Sequence, residues 1–369
     1  MHRAGGNGRV RHRKARTVVV AGGAGFLGSH LCDALLREGD EVICVDSFLT
    51  GLRGNLRHLE RERHFDVIEA DVIDPPSHAL RSAARHASLV LNLACPASPP
   101  HYQADPEHTL LTCVVGTRNL LRLAEATGAR FLLTSTSEVY GDPDVHPQAE
   151  GYRGNVNPVG PRACYDEGKR AAETLSFDFL RAGRVDVRVA RIFNTYGPRM
   201  RADDGRVVSN VVTQALGGRD ITLYGDGSQT RSFCYVDDMI DGLLRLAALS
   251  DPQQGAVNLG NPVELRVDGL VRHVLALTGS TSRVVQRPLP TDDPRRRRPD
   301  ISLARRLLGW EPRVGLEAGL TATVRWFEAQ VPMPRQPPMP HDDAAPMTPS
   351  RGVAMGRTRP AASSALPDA

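Results

Sequence analysis

The segment CYDEGKRAAE places Tyr165 and Lys169 four residues apart, so that on a helix the two side chains stand on one face. A phenol with an ordinary pKa of about 10 is a poor base at neutral pH. An ammonium one turn away favours the phenolate, and the pair then becomes a base able to take the proton from an alcohol. Alone, this spacing describes any amphipathic helix that carries a Tyr and a Lys. A second stretch gives it meaning: in LLTSTSEVYGDP, residues 132–143, an apolar run ends in Thr136, Ser137 and Glu138. Thr136 would orient a substrate oxygen opposite Tyr165, while Glu138 adds an acid that alcohol oxidation alone does not require.

Such a base needs an electron acceptor. TVVVAGGAGFLGSH sets Gly22, Gly25 and Gly28 at GxxGxxG spacing after a strand-like run, with Phe26 and Leu27 between the last two glycines. Glycine lets the backbone turn tightly and approach a pyrophosphate, whose charge meets the helix N-terminus. EVICVD ends in Asp46, 18 residues beyond Gly28, where a carboxylate would bind the adenosine ribose hydroxyls. A carboxylate there repels a 2′-phosphate and no basic residue follows at once, so the expected cofactor is NAD. Ser47 and Phe48 follow in the same turn, and Asp71 with Val72 would suit the adenine edge. Leu93, Thr112 and Thr195 complete the expected cofactor site, in which hydride leaves to NAD while Tyr165 takes the proton.

These residues require a particular scaffold. From Thr17, short β-branched runs alternate with helix-length segments: TVVVA, 25–38, EVICV, FDVIEA, SLVLNLA, 107–128, RFLLTST, 163–183 and VDVRVARI. Continuous apolar strands separated by helices predict a parallel sheet covered on both faces. The expected fold is α/β, a Rossmann-type doubly wound parallel sheet with a smaller α/β substrate lobe. The lobe would use helix 207–217, strand ITLY and helices near 266–278 and 316–329, packed over the strand ends where open sheets bind ligands. The expected organisation is a disordered basic tail 1–16, a dinucleotide-binding domain 17–193 plus 232–260, a nucleotide-sugar lobe 194–231 plus 261–330, and a disordered tail 331–369. That last segment holds nine prolines and no aromatic residue, too little to build a core.

The net charge of +4 includes +6 in residues 1–16 and +1 in residues 331–369, which leaves −3 for the body. A mildly acidic body does not suit a nucleic-acid surface. There is no run of about 18 apolar residues and no apolar core behind the basic N-terminus, so neither a membrane span nor a secretory signal is expected, and the protein is placed in the cytoplasm. Six scattered cysteines without CxxC or His spacing argue against a metal site and a disulfide framework.

Longer stretches carry a resemblance. GGAGFLGSH, ACPASPPHYQADP, STSEVYGDPDVHPQ, NPVGPRACYDEGKR, ARIFNTYGPRM, YGDGSQTRSFCYV and RRRRPDISLARRLLGWEP, spread from Thr17 to about Phe327, resemble the extended short-chain dehydrogenases/reductases of nucleotide sugars. Within that group the chain is similar to the UDP-glucuronic acid decarboxylases, or UDP-xylose synthases. Related 4,6-dehydratases carry Asp-Glu after the first hydroxyl; Ser137 stands in place of that acid. Related 4-epimerases carry small neutral residues there.

The resemblance implies oxidation at C4, loss of CO2 from the resulting β-keto acid, protonation at C5, and reduction that regenerates NAD. It implies that Ser137 and Glu138 position the sugar acid and that Arg231 either serves the protonation step or clamps the diphosphate. By the same likeness Asn119, Asn194, Arg206, Val207, Leu223, Tyr224 and Arg297 bind the nucleotide sugar, with Arg297 facing the phosphates. A homodimer through helices 107–128 and 163–183 is expected. Asn92, Leu111, Arg153 and Asn155 depart from the decarboxylase pattern. The alternatives are a 4-epimerase, a decarboxylase of another nucleotide uronic acid, and a non-catalytic NAD-linked sensor of sugar nucleotides.

Overall fold

A computed structural model describes residues 15–251, 255–290, 292, 294 and 296–330, all within one compact unit. The expected Pro-rich tail, and the expected basic tail up to residue 14, lie outside the described residues.

Six strands open the chain: β1 Thr17–Ala21, β2 Glu41–Asp46, β3 Phe65–Glu69, β4 Ala87–Asn92, β5 Arg130–Thr136 and β6 Val187–Ile192. Together with the strand Val257–Leu259 they form one seven-stranded sheet in the order Val257–Leu259, β6, β5, β4, β1, β2, β3. Every pairing is parallel, as the unbroken apolar runs predict. Residues alternate between faces: in β1, Val18 and Val20 join one apolar cluster while Val19 and Ala21 join the other. The order reverses between β1 and β4, and a crevice at the carboxyl ends of the strands opens there.

The predicted continuous helix over 107–128 is instead Pro106–Leu111, a π-turn at Thr112–Gly116, and Thr117–Thr127. The widened turn seats Gly116 against Val72, where a Cβ would lie 2.5 Å from the Val72 side chain. Pro99–Ala104 is a short helix that its leading Pro-Pro disguises as a loop.

Beyond β6, helices Val207–Leu216, Val267–Thr278 and Leu316–Glu328 pack among short sheets. Ile221–Tyr224 pairs with Val284–Arg287. Thr230–Ser232 lies between Glu264–Arg266 and Arg296–Arg297, a register that sets Arg297 opposite Arg231.

Candidate active site

The glycines of the first turn act through steric room. Gly22 has φ +80°, and a Cβ there would stand 2.7 Å from the Leu93 carbonyl carbon. At Gly28, the third residue of the helix Phe26–Arg37, a Cβ would stand 2.0 Å from the Gly22 carbonyl oxygen, so only glycine lets the helix start against the strand. Asp46 closes β2 with one carboxylate oxygen accepting from Ala24 N–H and the other from Phe48 N–H, each at 2.8 Å. Burial pushes its pKa up, and these two N–H donors oppose the rise. A cradle without Cβ atoms, followed by a carboxylate at the next strand end, fits a dinucleotide.

A cavity of about 550 Å³ runs from Gly22, Gly25, Phe26, Leu27 and Gly28 to Thr136, Ser137, Glu138, Tyr165 and Lys169, so the sequence-predicted base, ammonium and acid share one space. A smaller cavity of about 70 Å³ continues it past Leu93 to Asp46, Ser47, Asp71, Val72 and Thr112. Thr195, Asn194, Arg206, Val207, Leu223, Tyr224, Arg231 and Arg297 line the larger one. Among its described lining residues stand seven Arg and Lys side chains against two carboxylates, Glu138 and Asp204.

Lys169 donates from Nζ to the Thr134 carbonyl at 3.0 Å and lies 5.9 Å from the centre of the Tyr165 ring. Both side chains are buried, and Tyr165 hydrogen-bonds with Thr136. The expectation that the neighbouring ammonium lowers the phenol is corrected: burial dominates and pushes Tyr165 well above its ordinary value, with the Thr136 hydrogen bond and Arg206 pulling the other way. The Tyr102 ring lies parallel to that of Tyr165, 5.1 Å away.

Glu138 is held by two guanidiniums. Arg162 Nη2 donates to Oε2 at 2.5 Å and Arg297 Nη1 donates to Oε1. Burial opposes its charge, yet Arg297 and Arg162 outweigh burial and hold the carboxyl at about 2. Asp166 is buried beside them with Oδ1 lacking a hydrogen-bond partner. Burial, reinforced by the charge of Glu138, raises it to about 8.

Some expected site residues have protein partners of their own or line neither cavity. Arg297 spends its guanidinium on Glu138 and the Gly141 carbonyl, because the strand beside Arg231 buries it within reach of that carboxylate. Asn119 lines neither cavity and donates to the carbonyls of Val72, Ile73 and Asp74 at 2.9, 2.8 and 3.1 Å, tying down the loop after β3. Phe48 lines neither cavity; its ring lies 3.9 Å under the Arg53 guanidinium. Asp71 lines the smaller cavity but shares its carboxylate with His108 Nε2 at 2.7 Å, a partner that sequence reasoning missed. Arg162, Tyr102 and Asp166 were missed as well, although all three lie inside stretches that carry the resemblance. Asn92, Leu111, Arg153 and Asn155, the departures from pattern, are absent from the lining of the larger cavity. Asn92 is buried, donating to Thr117 Oγ1 at 3.0 Å.

A glycine cradle, a buried Tyr–Lys pair and a common cavity define a Rossmann-type NAD-binding enzyme. The family model described as "NAD dependent epimerase/dehydratase family" matches residues 18–260, and the chain belongs to that family. UDP-glucuronic acid decarboxylase 4 of Arabidopsis thaliana is 52% identical over 86% of this chain and 70% of its own length. UDP-glucuronic acid decarboxylase 1 of Xenopus tropicalis is 48% identical over 87% of this chain and 74% of its own. Among solved structures, UDP-glucuronic acid 4-epimerase from Bacillus cereus, in complex with UDP-glucuronic acid and NAD, superposes with a TM-score of 0.76 at 27% identity, covering 85% of this chain and 100% of that one.

Proposed function

We propose that the chain converts UDP-glucuronate to UDP-xylose and CO2, with NAD regenerated in each cycle. The observation that carries this reading is Glu138, ionised between Arg162 and Arg297 in the cavity that holds Tyr165 and Lys169. Identity of about half to curated UDP-glucuronic acid decarboxylases supports it.

The Gly22–Gly28 turn, Asp46 and the Tyr165–Lys169 end would hold NAD, which would supply the two-electron acceptor and donor. Burial holds Tyr165 as a neutral phenol, and the positive nicotinamide ring of a bound cofactor beside it would favour the phenolate that takes the proton of the sugar C4 hydroxyl, which Thr136 orients. With C4 a ketone, the C6 carboxylate is β to a carbonyl, and CO2 leaves with the electron pair delocalised onto oxygen. Arg199, Arg201 and Arg206 are paired with Asp33, Asp203 and Asp204, and Arg162 and Arg297 share Glu138, so the cavity keeps a smaller excess of cations than its lining count. That excess favours a substrate that brings a diphosphate and a carboxylate, and it stabilises the enolate. Ser137 and Glu138 align the sugar acid. Arg231, buried at the cavity wall with Nη1 donating to the Thr230 carbonyl at 2.9 Å, would serve the diphosphate or the C5 protonation. Tyr165 returns its proton when C4 is reduced.

Incubation with UDP-glucuronate should release CO2 and give UDP-xylose. Formation of UDP-galacturonate without CO2 would show an epimerase instead, and binding without turnover a sensor. The same reading expects a cytoplasmic homodimer. Exposed Leu110 and Leu111 on the helix Pro106–Leu111 and free cysteines support it, and a monomer mass by light scattering would refute the dimer.

A further inference from the structure

Two thiols meet beside the cofactor end of the cavity. Cys95 follows β4 on the loop that carries Leu93, and Cys113 sits in the π-turn Thr112–Gly116. Their Sγ atoms are 3.3 Å apart. A disulfide bond measures about 2.05 Å, so little more than an ångström of movement would join them. Cys95 lines both cavities, which gives a small polar molecule a route to the pair. Cys113 packs on Gly168, the residue before Lys169, and the Lys169 ammonium favours the thiolate of both sulfurs. The hydrogen bond between the two sulfurs lowers the Cys113 thiol against the opposing effect of burial, whereas burial pushes Cys95 up. One sulfur with thiolate character beside a second thiol is the arrangement that reversible disulfide formation requires.

The geometry points to Cys95 and Cys113 as a modification site, a dithiol that hydrogen peroxide or another small hydroperoxide oxidises to an intramolecular disulfide spanning the cofactor end of the cavity. In the first step a thiolate of the pair attacks one peroxide oxygen; the O–O bond breaks, the released hydroxide takes up a proton and leaves as water, and the sulfur becomes a sulfenic acid. The second sulfur then attacks the first. Its S–H proton goes to the departing hydroxide, the S–O bond breaks, and the S–S bond forms with a second water. The two sulfurs together lose two electrons and the peroxide is reduced to two waters. Closing the gap draws the β4 loop toward the Thr112–Gly116 turn, moving Leu93 and Thr112, which line the cofactor site, and the packing behind Lys169.

Trypsin releases both cysteines in one peptide, residues 86–118, because no Lys or Arg lies between Arg85 and Arg118. Full-length protein exposed to equimolar peroxide and then alkylated under denaturing conditions should yield that peptide unalkylated and two hydrogens lighter, and dithiothreitol should restore two alkylation sites. Turnover of UDP-glucuronate should fall about 10²-fold, the scale of an ångström misplacement in a site, and return with dithiothreitol. Cys113→Ala should keep its turnover after the same exposure. The proposal is overturned if the peptide remains a dithiol or gains oxygen while other cysteines oxidise, or if Cys113→Ala loses turnover as wild type does. The mass measurement needs neither the variant nor a known substrate, so it decides the site even if the variant folds poorly or the decarboxylase reading fails.

Discussion

The two ends of the cavity are built from different materials. At the cofactor end the decisive partners are backbone groups: the Gly22 carbonyl against Gly28, Ala24 and Phe48 N–H on Asp46, and the Thr134 carbonyl on Lys169. At the other end they are charges brought from far along the chain: Glu138 meets Arg162, 24 residues away, and Arg297, 159 away. A site made of backbone depends on the absence of side-chain volume, whereas a site made of buried charge depends on neutralisation within a desolvated space.

The contrast can be broken at its charged end first. Glu138→Gln should slow turnover by about 10²-fold or more while NAD stays bound. It should also lower stability by about 3–5 kcal/mol in urea unfolding, because two buried guanidiniums lose their counter-charge. Undiminished turnover would remove Glu138 from the mechanism. The backbone end should respond the other way. Gly28→Ala puts a Cβ at 2.0 Å from the Gly22 oxygen, so NAD should be lost on gel filtration, with a stability cost of about 1–3 kcal/mol. A variant that keeps both NAD and its melting temperature would refute the cradle.

A pH-dependent effect concerns Asp166, raised in the fold from 3.8 to about 8. Its ionisation opposes folding, so its contribution is fully present below about pH 4 and is lost as pH rises through about 8. Melting temperature should therefore fall across that window in wild type and less steeply in Asp166→Asn. Parallel curves would separate Asp166 from the charge cluster.

Much of the first end was legible from residue order. Gly22, Gly25, Gly28 and Asp46 stand where spacing put them, since a strand, a turn and a helix set neighbours within one βαβ unit. Tyr165 and Lys169 share a face for the same reason, helical periodicity. Glu138 could be recognised as an extra acid, but Arg162 and Arg297 as its partners could not. Asn119 shows the opposite failure: a residue taken for a substrate ligand holds three carbonyls of the loop after β3, a contact between segments more than 40 residues apart that no local spacing encodes. Cys95 and Cys113 read as scattered and are 3.3 Å apart.

By itself, then, the order of residues determined the parallel sheet, the dinucleotide turn and the helix-borne base, all of which rest on periodicity and steric room over a few tens of residues. Tertiary structure alone decided which cation neutralises which acid, how far burial shifts the phenol and the carboxyls, and which thiols touch. Those outcomes depend on distance and desolvation between segments more than a hundred residues apart as well as between near ones, and no local spacing encodes them.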